Sequence, residues 1–245
     1  MALEAGKHVL VEKPMAPTLV EAQTMVTTAQ NHQRILMVGQ IVRFIPATIE
    51  MRRILESGEI GKPLHVIERR YGLFRKEVWP DWWQAMEGFL MLHLGSHSVD
   101  AILWMLEKDP LWAFAQGKAR RVDPTHGAID SFALAIGLSD DVLTGIHHEA
   151  IGGGKFLAFN LLVVGENGRV EMDDFTRVRL NGEEVFKVPE QSFAPALEAE
   201  LIEFASAIRE GRQSSVPGSS VLPTVATLDA ARKSLRSGRA ETITL

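Results

Sequence analysis

The chain has 245 residues, 46% of them hydrophobic and 23% charged, with a net charge of -5 and no cysteine. This is the composition of a globular chain long enough to bury a full core, and the missing cysteine excludes disulfides, thiolate zinc sites and a cysteine nucleophile while fitting a reducing, cytoplasmic address. The acidic balance argues against a general nucleic-acid binder, no apolar run approaches the roughly 18 residues of a membrane span, and the N-terminus lacks a signal-peptide pattern.

In chain order, a helix tail is expected to close on Gly6, and a short buried strand, His8 to Val11, to follow it. The carboxyl end of that strand delivers Glu12, Lys13 and Pro14 into a loop, the edge of an open α/β sheet where ligands sit, although such a tripeptide taken alone reads more simply as a polar turn before a helix. Pro17 to Gln33 reads as a helix, because Thr18 and Glu21 have capping-box spacing and Leu19, Ala22, Val26 and Ala29 recur at helical intervals. Ile35 to Gly39 is then a wholly apolar strand, so the segment is a βαβ unit, the last piece of a doubly wound parallel sheet. A second helix, Pro46 to Ser57, should stop at Gly58 in a left-handed cap.

From Pro63 the pattern changes to longer strands: 64–71, 111–122, 128–138, 142–151, 156–164 and 168–173. Glu166-Asn-Gly168 and Asn181-Gly182 are hairpin signals, so most of this sheet should be antiparallel. One face of the third strand carries Phe132, Leu134, Ile136 and Leu138, suited to helices; the other carries Ser131, Ala133, Ala135 and Gly137 and is flat. Residues 156–164 are apolar on both faces apart from Asn160, so something should cover the open face, most simply a second copy of the sheet, giving a homo-dimer or homo-tetramer.

Glu87 to Leu106 reads as one long helix carrying His93, His97 and Asp100 on neighbouring turns. Two imidazoles four apart are compatible with a metal, but no glutamate lies between them and no third ligand is evident, so no metal site is expected. Two histidines satisfied by hydrogen bonds are the plain alternative; Gly95 between them speaks for more, since a mid-helix glycine costs about 1 kcal/mol against alanine and asks for a reason such as close backbone approach. Arg43 follows the second strand and is either near a site or a surface ion pair. Trp79, Trp82 and Trp83, beside Pro80 and Asp81, form either an aromatic substrate wall or ordinary packing. His147 and His148 fall on opposite faces of a strand, so they are no paired ligand set.

Ala5 to Pro14, Gly39 to Pro46 with its Arg-Phe-x-Pro, Gly58 to Pro63 and Gly88 to Asp100 occur in an order and at spacings that resemble the Gfo/Idh/MocA family of NAD(P)-dependent oxidoreductases, named for glucose-fructose oxidoreductase and inositol dehydrogenase. The likeness runs over essentially the whole chain and includes the closing helices, Leu201 to Gly211 and Val221 to Gly238. It implies an α/β plus α+β fold: the C-terminal remnant of a Rossmann-type parallel sheet in 1–45, then a large, mostly antiparallel, open-faced sheet domain in 46–245 with helices on one face and the helices of 195–237 packing back. It also implies a hydride transfer between NAD or NADP and a sugar, polyol or related hydroxy or keto substrate.

In that family an Asp-x-Gly-x-His helix faces the nicotinamide, and Gly95 and His97 match its glycine and histidine while His93 stands at the aspartate. By this resemblance Lys13 orients or polarises the substrate hydroxyl and His97 takes its proton, with His93 sharing that role or replacing a supporting carboxylate. Glu12, Lys13 and Pro14 are expected at the cofactor, and Arg43, Trp79 and Trp82 at the substrate. No Gly-x-Gly-x-x-Gly follows a strand, and Gly152 to Gly154 lies in a strand-to-strand loop, so roughly 80 to 100 preceding residues with the phosphate-binding turn are expected, Met1 being internal or a fragment start. The competing expectation is a non-catalytic binding or assembly protein that has lost the cofactor half.

Overall fold

The computed structural model describes residues 1–73, 87–151, 158–189 and 193–245. The chain opens with β1 (Val9–Glu12), α1 (Leu19–Asn31) and β2 (Leu36–Gly39), and the two strands pair in parallel with Val9 beside Leu36 and Glu12 beside Gly39. The capping box forms as the spacing requires: the Glu21 amide donates to Thr18 Oγ1 and the Glu21 carboxylate accepts from the Thr18 amide. A 3-10 turn (Ile41–Phe44) leads into α2 (Pro46–Ser57), which stops at Gly58 with φ of 76°, a conformation that favours a residue without Cβ.

Among the described residues the second sheet has nine strands: β3 (Pro63–Leu73), β4 (Pro110–Lys118), β5 (Ser131–Leu138), β6 (Leu143–Ile151), β7 (Ala158–Gly165), β8 (Arg169–Asp173), β9 (Arg177–Leu180), β10 (Glu183–Lys187) and β11 (Glu241–Thr242). Its order is β10-β9-β8-β7-β3-β6-β5-β4-β11, antiparallel throughout except for the parallel contact between β3 and β6. The strand expected over 111–122 stops at Lys118, because the Asp130 carboxylate accepts from the amides of Arg120 and Val122 and draws the chain out of the ladder. The start expected at residue 156, and the Gly152 to Gly154 loop, lie outside the described residues.

The helix expected over 87–106 differs in its first half. Gly88 turns with φ of 67°, Met91–Gly95 is a π-helical turn, and regular α3 runs only over Ser96–Leu106. The turn ends on Gly95, where a Cβ would stand 3.3 Å from the Phe132 ring on β5, so the helix meets the sheet backbone-first. Such π-turns are frequent at functional sites. The chain closes with α4 (Ala194–Glu210) and α5 (Gly218–Ser237).

Two apolar cores result. The larger sets α2, α3 and part of α5 against the inner face of the nine-stranded sheet, with Phe132, Leu134, Ile136 and Leu138 all buried. The smaller joins α1 and β2 to Val216, Val221 and Val225, so α5 belongs to both. The carboxyl ends of β1 and β2 are thereby held beside the N-terminal turns of α3.

Candidate active site

At the end of β1 the Lys13–Pro14 peptide bond is cis, and the half-buried Lys13 side chain reaches the π-turn. Its ammonium donates to the His93 carbonyl at 2.9 Å and lies 3.2 Å from His93 Nδ1. An ammonium has only protons to offer, so His93 Nδ1 is the acceptor and Nε2 carries the ring proton. Burial is the main cause holding His93 down to about 3, with the charges of Lys13 and Arg70 adding to it, so the ring is neutral. Its ring stacks parallel on Phe89, with centroids 6.0 Å apart.

His97, one turn on, is likewise pushed well below the usual histidine range, first by burial and then by the charges of Lys13 and Arg70. Its Nδ1 is buried without a hydrogen-bond partner. Lys13 itself falls to about 8, again chiefly by burial, with Arg70 adding to the shift and Glu12 opposing it. The structure therefore sets the Lys13 ammonium against the neutral His93 imidazole, with the neutral His97 imidazole one turn further on and within reach of the same charge. Glu12 turns the other way, its carboxylate lying over Gly39 near that of Glu200.

Arg43 is not at the surface. Its guanidinium grips Asp100 with two bonds of 2.8 and 2.7 Å, both residues are buried, and it also donates to Ser220 Oγ at 3.2 Å. Thr224 adds a third bond to Asp100 at 3.1 Å. Four of the five Arg43 donors go to Asp100 and Ser220, a buried joint that fixes α3 against the 3-10 turn and α5 where a surface ion pair was the alternative expectation. Trp79, Trp82 and Trp83 lie outside the described residues.

Sequence reasoning missed the floor of the site. On β3, Val66, Glu68 and Arg70 face inward, and the ladder sets Phe132, His148, Arg70 and Phe159 side by side across four strands. Glu68 lies 2.7 Å from His148 Nε2 and accepts from Ser98 Oγ at 3.0 Å, with the Glu68 and His148 side chains both buried. His147, on the other face, is exposed. The available signal was the period of two in Val66, Glu68 and Arg70, which puts two charges on the face that carries a core valine.

Two family models match the chain. That of the Gfo/Idh/MocA C-terminal domain covers residues 48–171, and that of the oxidoreductase family's NAD-binding Rossmann fold covers residues 1–40. Inositol 2-dehydrogenase of Acidothermus cellulolyticus is 28% identical over 248 residues, covering 98% of this chain and 70% of that protein. 1,5-Anhydro-D-fructose reductase of Ensifer adhaerens is 28% identical over 250 residues, covering 99% of this chain and 74% of that protein. Among solved structures, an oxidoreductase from Agrobacterium radiobacter in complex with NAD+, L-tartaric acid and magnesium shares the fold, with a TM-score of 0.83 at 21% identity over 96% of this chain and 72% of that one. With the two domain models matching in chain order and the full-length likeness of these relatives behind them, this chain belongs to the Gfo/Idh/MocA oxidoreductase family.

Proposed function

We propose that this chain serves an NAD(P)-dependent dehydrogenase or reductase acting on a CH–OH group of a sugar or polyol, with Lys13 and His97 as its catalytic pair. The observation that carries this reading is the Lys13 ammonium held 2.9 Å from the His93 carbonyl at the carboxyl ends of two parallel strands. That edge is where open α/β sheets take their ligands. The names of the relatives, an inositol dehydrogenase and an anhydrofructose reductase, support the substrate class.

The residues at that edge suit a nicotinamide. Gln40 Oε1 is buried without a partner just beyond β2, an acceptor of the kind a carboxamide N–H requires, and Glu12, Lys13 and Pro14 border the same edge. When bound, the nicotinamide supplies the hydride acceptor or donor for the substrate carbon. Lys13 spends two of its three N–H donors on His93, which leaves one for the substrate oxygen. His97, neutral at physiological pH, takes the hydroxyl proton in oxidation and returns it in reduction. His93, acting as an acceptor, orients Lys13 without adding charge.

Steady-state assays with NAD and NADP against inositols, aldoses, anhydrohexuloses, aldonates and uronates, run on a version that also carries the expected phosphate-binding turn because residues 1–245 alone are expected to be inactive, test the reading; turnover of at least one pair supports it, and none with any member refutes it. The flat outer face, with Leu143, Tyr71 and Ile67 exposed, supports a homo-dimer or homo-tetramer through that face. A stable monomer in sedimentation at micromolar concentration would remove that part.

A further inference from the structure

Among the described residues the charge at Arg70 is only partly met. Lys13 and Arg70 are both cationic, Glu12 offsets part of the Lys13 charge, His93 and His97 are neutral, and among the described residues the carboxylate paired with Arg70 is Glu68, 3.6 Å from its Nε. Glu68 is already engaged by His148 and Ser98, so it offsets only part of the charge. Arg70 is 9% exposed, and its Nε is buried without a hydrogen bond. Its guanidinium rests on two aromatic rings, 4.9 Å from the centroid of Phe159 and 5.6 Å from that of Phe175.

Position supplies the rest. In the inward row Phe132, His148, Arg70, Phe159, the first two places are roofed by the His97 helix, with Gly95 against Phe132 and Ser98 3.2 Å from His148. Arg70 is the next place along, beside the roofed pair, and the field of its charge reaches Lys13, His93 and His97. A buried guanidinium with unused donors is costly unless an anion meets it, and its planar fork matches a carboxylate.

We propose that Arg70 is a substrate-recognition residue and that the substrate carries a carboxylate, as an aldonate, uronate or other hydroxy acid does, rather than being a neutral polyol. The proposal rests on the dehydrogenase reading for the word substrate, while the anion preference stands on the Arg70 site alone. The test compares binding of D-glucuronate and D-gluconate with that of D-glucose and D-sorbitol, by saturation-transfer NMR and calorimetry, with and without NAD(P), in the wild type, Arg70→Gln and Arg70→Lys.

The acids should bind about tenfold or more tightly than the neutral compounds, the advantage shrinking with added salt. Arg70→Gln should bring the two classes together, and Arg70→Lys should keep a reduced preference. Equal or better binding of the neutral compounds by the wild type would overturn the proposal, as would an undiminished acid preference in Arg70→Gln. Should Arg70→Gln fail to fold, the drop in preference in Arg70→Lys decides. Acid-selective binding without turnover of any compound would count against the dehydrogenase reading and leave this one standing.

Discussion

Two charged clusters share α3. At Asp100 the charge is fully met: Arg43 grips both carboxylate oxygens, and Thr224 adds a further bond. At His97, three residues earlier, the charges of Lys13 and Arg70 act on two neutral rings, and the Glu68 carboxylate beside Arg70 is shared with His148 and Ser98. Both clusters are buried or nearly so, both draw on distant segments, and only one is closed. A satisfied buried pair holds elements in register, whereas an unsatisfied one keeps interaction free for something that arrives.

The sharpest way to break this contrast is to remove one member from each side. Lys13→Ala and His97→Ala should each lower turnover by about 10²- to 10⁴-fold, the range for a positioned proton-transfer group, while the denaturation midpoint moves little. Unchanged turnover in both variants would end their assignment. Asp100→Ala should do the reverse, costing about 3–5 kcal/mol in urea unfolding because it strands the Arg43 guanidinium in the core. The double variant Arg43→Met/Asp100→Leu should recover much of that loss; failure to recover any would mean that the pair does more than satisfy itself.

The pH dependence of kcat/KM sharpens the comparison further. Lys13 holds its proton below about 8, so a reaction that needs its ammonium should lose rate above that pH, about tenfold per unit. His93 at about 3 and His97 well below the usual histidine range leave no inflection near 6.5. Lys13→Arg should move the alkaline limb upward. An acidic limb at 6–7 that disappears in a His97 variant would show that His97 carries a charge the geometry denies it.

What was legible in the sequence is the local part. Thr18 with Glu21, Gly58 and Asn181-Gly182 announce a cap, a stop and a turn because each acts within a few residues, and the alternation in β5 announces the inner face. Lys13 and His97 were legible only through resemblance, since 84 positions separate them in the numbering and no period links them. The Arg43 to Asp100 joint and the Phe132, His148, Arg70, Phe159 row were not legible. The first closes across 57 residues, and the second depends on β3 pairing in parallel with β6, a choice made by the whole sheet. The π-turn escaped for a similar reason: Gly95 signals close approach, but its partner, Phe132, lies on another element.

The smallest expected effect concerns a second unsatisfied group, near the carboxyl ends of β1 and β2. Glu200 on α4 is 2% exposed, its Oε2 has no partner, and burial, aided by the nearby Glu12 charge, raises it to about 7. Unfolded, it titrates near 4.5. Between those values the folded chain keeps a proton that the unfolded chain releases, so stability falls as pH rises from 4.5 to 7, and the full cost is present above 7. Glu200→Gln removes the titration and should be more stable than the wild type at pH 8 by on the order of 1–3 kcal/mol, with the difference vanishing near pH 4. Paired urea titrations at the two pH values measure it. A gain of equal size at both would mean that packing around Glu200, rather than its charge, sets the cost, and would weaken the picture of this edge as one that keeps polar groups unmet.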